Sequence, residues 1–152
     1  MDTVKDLLDG KGHEVYSVRP NATVYEALEL MAERNLGAVM VVDESGAVKG
    51  IFSERDYARK IIIKGRGSRT TRVKEIMTAK VLYVELSTSI RDCMTLMTGK
   101  RIRHLPVMEG PKLIGVVSIG DIVKAVISVQ ESVISQQEFR ISQLERYISG
   151  GV

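Results

Sequence analysis

The chain is written twice. Moving residues 18–24 (VRPNATV) forward by 66 positions lays them on 84–90 (VELSTSI), and the same shift sets Met31 on Met97 and Val41 on Val107. With a shift of 65, residues 50–56 (GIFSERD) fall on 115–121 (GVVSIGD), so one residue is lost from the turn between. Upstream, 4–8 (VKDLL) match 73–77 (VKEIM) at a shift of 69, the extra residues lying in the Gly-rich piece 9–12. Each copy must therefore form the same unit. A unit of roughly 60 residues buries too little surface to be comfortable alone. Two packed face to face solve that problem and leave a cleft between them, where small ligands tend to bind.

Each copy predicts the order β-α-β-β-α. A short β-type run, 15–18 or 81–84, comes first. Thr23-Val24-Tyr25-Glu26 and Ser89-Ile90-Arg91-Asp92 then fit capping boxes opening amphipathic helices. Val24, Ala27, Leu28 and Met31 fall three or four apart, on one helical face. An apolar strand follows, 38–42 or 105–108, then a turn (Asp43-Glu44-Ser45-Gly46, Glu109-Gly110-Pro111) that closes a hairpin. The second strand ends at Phe52 or Val117, and a helix starts at Ser53 or Ser118. The fold class is α/β (α+β): repeat 1 over 3–66, repeat 2 over 67–128, packed with pseudo-twofold symmetry. Beyond them, apolar residues at helical spacing from Ile122 to Ile148 predict a long C-terminal helix, either continuous or broken near Ser128 or Ser135, whose extension over 129–149 reaches a partner subunit or packs back across the pair.

Composition narrows the classes. The 152 residues carry no Trp, two Phe and five Tyr, so the core is aliphatic. One cysteine, Cys93, makes no internal disulfide and offers no thiolate pair for zinc. The N-terminus is too acidic and polar for a signal peptide, and the longest apolar runs fall far short of a membrane span. The expectation is a cytoplasmic protein. Net charge is a mild +3, but residues 59–74 hold seven basic side chains and no acidic one. That stretch reads as a solvated connection, a phosphate-facing edge or a nucleic-acid contact.

Chemistry concentrates in the repeated Gly-x-x-Ser-x-x-Asp, at Gly50/Ser53/Asp56 and Gly115/Ser118/Asp121. It lies where an apolar strand meets a helix start. Glycine allows close approach to the backbone, the helix start attracts oxygen-rich groups, and the carboxylate can accept from both hydroxyls of a ribose. Ser-x-x-Asp is equally a plain capping box, which needs no ligand. A second feature, Arg101-Ile102-Arg103-His104-Leu105-Pro106-Val107, places Arg103 and His104 before a strand, where they could bind phosphate or sit on a surface turn. The first copy has Leu36-Gly37-Ala38 there, so the halves are not equivalent.

Phe52-Ser53-Glu54-Arg55-Asp56, Ile76-Met77-Thr78, Arg103-His104-Leu105-Pro106-Val107 and 115–121, in this order, resemble stand-alone prokaryotic members of the CBS domain family over about residues 3–128. The resemblance implies a tandem pair, a Bateman module, that dimerises and binds AMP, ADP, ATP, NAD(H) or S-adenosylmethionine. By that resemblance Asp56 and Asp121 would hold ribose hydroxyls, and Ser53 and Ser118 ribose or phosphate. Arg55, Arg103 and His104 would face phosphates. Tyr16, Val18, Gly37 and Ala38, and in the other half Lys80, Val81, Ile102 and Arg103, would line base pockets.

The expected function is a regulatory nucleotide-sensing module, homodimeric and non-catalytic, that passes its state to a regulated protein. The alternative is an adaptor with empty pockets that acts through its C-terminal helix. A nucleic-acid binder would use residues 59–74, but interleaved aromatics are missing. An enzyme would have only His13 and His104 as histidines, with no metal-like spacing, P-loop or dinucleotide fingerprint.

Overall fold

The computed structural model describes residues 2–130 and 143–145. In repeat 1, α1 (Val4–Lys11) precedes β1 (Ser17–Val18), α2 (Val24–Arg34), β2 (Ala38–Val42), β3 (Val48–Ser53) and α3 (Glu54–Asp56), which continues as a π-helical turn over Tyr57–Ile62. In repeat 2, α4 (Val73–Ile76) precedes α5 (Ile90–Lys100), β4 (His104–Glu109), β5 (Lys112–Ser118) and α6 (Ile119–Gln130). The segments matched at a shift of 69 are thus helices, so each unit gains a leading helix beyond the predicted order. The expected extension over 129–149 lies, past Gln130, almost wholly outside the described residues.

The duplication extends to single pairings. β1 runs parallel to β2 with Val18 opposite Val41, and β2 pairs antiparallel with β3. In repeat 2 the counterpart of β1 shrinks to one parallel bridge, Val84 to Val107, beside the antiparallel pair β4–β5. Both hairpins shift register at the same place, between Val41 and Val42 and between Val107 and Met108. Such a bulge re-aims the strand that carries it. The expected caps form in their forward half: Thr23 and Ser89 Oγ accept from the N–H of Glu26 (3.1 Å) and Asp92 (2.9 Å).

The leading helices are exchanged. Val4, Leu7 and Leu8 of α1 are buried in the core of repeat 2, with Val84, Cys93, Leu105, Val117 and Ile122. Val73 and Ile76 of α4 are buried in the core of repeat 1, with Val24, Met31, Val41 and Phe52. Matching backbone bonds hold them. Val4 and Lys5 N–H donate to Thr88 and Leu86 O, and Val73 and Lys74 N–H donate to Ala22 and Pro20 O. Two helices, eight and four residues long, are far too short to persist unsupported. Burial in the other repeat's core stabilises them and ties the halves together.

The exchange explains the repeated glycines. A Cβ on Gly50 would lie 2.7 Å from Met77 Sδ and 2.7 Å from Thr78 O, and one on Gly115 would lie 2.8 Å from Leu8 Cδ1. The expectation of close ligand approach at these glycines is corrected: the chain's own exchanged segment fills that space.

Candidate functional site

Both Ser-x-x-Asp elements close as reciprocal capping boxes. Ser53 N–H donates to Asp56 Oδ2 (3.0 Å) while Asp56 N–H donates to Ser53 Oγ (3.2 Å). Ser118 N–H donates to Asp121 Oδ2 (2.8 Å) while Asp121 N–H donates to Ser118 Oγ (3.1 Å). Each box aims its carboxylate at a fixed point at the end of a β-hairpin. Surroundings then separate the two.

Asp56 is 7% exposed and saturated. Oδ2 also accepts from Ser53 Oγ (3.1 Å), and Oδ1 accepts from Thr78 Oγ1 (3.2 Å) and pairs with Lys60 Nζ (2.9 Å). Lys60 donates as well to Ile76 O (2.9 Å), at the end of α4. Together these bonds tie the exchanged helix to repeat 1.

Asp121 opens on a cavity of about 340 Å³ between the halves. Repeat 1 supplies Glu14, Tyr16, Gly37, Ala38, Met40 and Ile51, and repeat 2 supplies His104, Val116, Ser118 and Asp121. Lys11, the last residue of α1, closes the rim. Its Nζ donates to Asp121 Oδ2 (2.5 Å) and Val116 O (2.6 Å). Burial pushes the Asp121 carboxyl up, but the Lys11 and Ser118 hydrogen bonds and the Lys11 charge outweigh it and hold the pKa below its usual value. The carboxylate stays ionised at neutral pH and can accept hydrogen bonds.

His104 reaches across from β4. A Cβ on Gly37 would meet its Cε1 at 3.3 Å, so Gly37 makes room for the ring. Burial lowers the imidazole pKa; the Lys11 and Arg103 charges lower it further, against Asp121 and Glu54. Just below pH 6.5 the unfolded chain therefore binds a proton that the folded chain does not, and stability falls as pH falls through that window. Melting temperature is expected to drop between about pH 7.5 and pH 5.5, and His104→Gln to flatten part of that slope. An identical slope in the variant would contradict this placement.

Of the residues expected from sequence, the cavity gathers Tyr16, Gly37, Ala38, His104, Ser118 and Asp121. Val18, Ser53, Arg55, Asp56, Lys80, Val81, Ile102 and Arg103 do not line it. Val18 pairs in the sheet and borders a shallow groove beside Arg19 and Asp43. Ile102 packs on the core of repeat 2. Arg55 donates to Arg101 O (2.8 Å), at a left-handed helix cap (φ 54°) that mirrors Asn35 (φ 55°). Sequence reasoning missed Lys11. The signal was present: the shift of 69 that aligns the leading helices lays Lys11 on Lys80.

The basic stretch is largely spent on the chain itself. Arg66 pairs with Glu75 (2.7 Å), Arg72 donates to Asn21 O (3.0 Å), Lys60 is held as described, and Arg69 stacks 4.0 Å from the Tyr25 ring centroid. Among the described residues no group of three His, Cys, Asp or Glu could hold a metal ion, and no helix is long and apolar enough to cross a membrane.

Comparison with known proteins bears on the family and the fold. The CBS domain model matches residues 4–63 and 73–128. The structure of a protein with CBS domains from Burkholderia ambifaria MC40-6 is 52% identical, covers 87% of this chain and 98% of its own, and superposes with a TM-score of 0.81. The mitochondrial CBS domain-containing protein CBSX3 of Arabidopsis thaliana is 40% identical over 98% of this chain and 73% of its own. The CBS domain pair of MJ0100, solved with 5′-methylthioadenosine and S-adenosyl-L-methionine, is 22% identical, covers 85% of this chain and 98% of its own, and shares the fold with a TM-score of 0.74.

Proposed function

The chain belongs to the CBS domain family, as two CBS repeats in tandem, and we propose that it is a regulatory module that holds an adenine nucleotide in the Asp121 cavity and passes the bound state to a partner protein. The observation that carries this reading is the cavity itself. An ionised carboxylate from repeat 2 faces a wall of small and apolar residues from repeat 1, Gly37, Ala38 and Met40, with Tyr16 beside them. The carboxylate suits a ribose diol, and the apolar wall suits a purine. The likeness to the MJ0100 pair supports the reading at the level of the fold, since that protein's CBS pair accommodates two adenosine compounds.

The ligands in view are AMP, ADP, ATP and NAD(H), bound as regulatory ligands by a non-catalytic, homodimeric protein. Ser118 would contact ribose or phosphate, and His104 would face phosphate. A ligand in contact with both repeats binds one relative arrangement of the halves better than another, and that differential affinity is the signal. For the copy of the motif in repeat 1 the saturation of Asp56 supports a structural role. One ligand per chain is therefore expected.

Mass spectrometry of small molecules released from the purified protein, followed by calorimetric titration with AMP, ATP and NADH, tests the reading. Binding near one equivalent per chain supports it. Failure of every adenine compound to bind would overturn it in favour of an adaptor whose pockets stay empty.

A further inference from the structure

We infer that Lys11 is the specificity-determining residue of the Asp121 cavity, trading the Asp121 carboxylate for a ligand's phosphate and so selecting phosphate-bearing adenine nucleotides over neutral or cationic adenosine derivatives. The inference rests on the nucleotide reading above and names the ligand class of that same site.

Asp121 Oδ2 accepts from Lys11 Nζ at 2.5 Å and from Ser118 N–H at 2.8 Å. A ribose diol presents two hydroxyl donors and needs both carboxylate oxygens. Oδ2 already carries two donors, and the Ser118 N–H is fixed by the capping box. Lys11 is the donor that can leave: its side chain is 36% exposed, on a flexible stem at the end of α1. The helix need not move with it, because Leu8 is fully buried in the core of repeat 2 and the Gly12 N–H closes on Leu8 O at 2.7 Å.

What the displaced ammonium meets decides the ligand class. A neutral nucleoside takes its partner away and offers no charge in return. A sulfonium compound adds a second cation beside it. A phosphate offers an anion within the same cavity, and charge-assisted bonds are roughly twice as strong as neutral ones. Among the described residues Lys11 is also the one lysine or arginine lining the cavity, where Glu14 and Asp121 are both acidic. Tyr16 O–H donates to Glu14 Oε2 at 3.1 Å, holding that carboxylate at the cavity. Without Lys11 an anion would face two carboxylates unrelieved.

The test is calorimetric titration of AMP, adenosine, 5′-methylthioadenosine and S-adenosylmethionine into the wild-type protein, Lys11→Met and Lys11→Arg. Wild type is expected to favour AMP over adenosine by about tenfold or more, as one charge-assisted contact implies. Lys11→Met should lose most of that preference, weakening AMP while adenosine is retained or tightened because its competitor for Asp121 is gone. Lys11→Arg should keep the preference in part. The AMP affinity of wild type should fall with added salt more steeply than that of Lys11→Met. Equal weakening of AMP and adenosine in Lys11→Met, or no change in either, would overturn the inference and leave the nucleotide reading standing. Wild-type protein that binds none of the four compounds would overturn the nucleotide reading, and this inference with it.

Discussion

Asp121→Ala is expected to weaken AMP binding by about 100-fold or more, whereas Asp56→Ala should leave the affinity within a few-fold and instead lower the melting temperature. Hydrogen bonds to a charged group contribute roughly 1.5–3 kcal/mol each, and about 1.4 kcal/mol is a factor of ten. Two ribose hydroxyls on Asp121 therefore account for the first loss. Asp56 offers no oxygen to a ligand, since Thr78, Lys60 and Ser53 occupy both. Removing it strips the reciprocal half of the capping box of α3, the bond from Ser53 N–H, and leaves Lys60, itself 39% exposed, without its carboxylate. Solvent around Lys60 discounts the cost of the broken pair, so with the lost Ser53 N–H and Thr78 bonds a destabilisation of about 2 kcal/mol is expected. Calorimetry and thermal denaturation on both variants separate these effects. Comparable losses of affinity in the two would show that both motifs bind ligand.

The larger stability effect belongs to a methyl group. Gly50→Ala places its Cβ 2.7 Å from the backbone oxygen of Thr78 as well as against Met77 Sδ. Thr78 is held there by reciprocal backbone bonds with Ile51, each 2.9 Å. The exchanged segment must therefore back away as a unit, at a cost of about 3 kcal/mol, the upper part of the usual range for overpacking. Gly115→Ala meets the end of the Leu8 side chain, at 2.8 Å. A terminal methyl can turn where a backbone carbonyl cannot, so about 1–2 kcal/mol is expected. At roughly 2–4 °C per kcal/mol for a chain of this size, the two melting temperatures should differ measurably. Equal shifts would mean that the two exchanged segments yield equally.

Much of this architecture was legible because the chain repeats. The shift of 66 that aligns Val18 with Val84 and Val41 with Val107 also aligns the two parallel pairings. The exchange was not legible. Val4, Leu7 and Leu8 have the spacing of a buried helical face, but periodicity does not say whose core receives it. The same blindness affects the site. The pairing of Lys60 with Asp56 is a four-residue helical spacing that sequence alone can suggest. Thr78 and Lys11 reach their carboxylates only because their segments have crossed to the other repeat. Two identical motifs therefore read alike in sequence while one is sealed and the other opens on a cavity.

Crossed helices also set an order of events on the ribosome. Repeat 1 can close once α4 has emerged, since every strand and helix it needs precedes that point. Helix α1 must wait for roughly a hundred further residues before the core that receives it exists, some 5–20 s at ordinary rates of synthesis. Through that interval Val4, Leu7 and Leu8 have no native place to go, and a helix translated before either core is buried only when the second one closes.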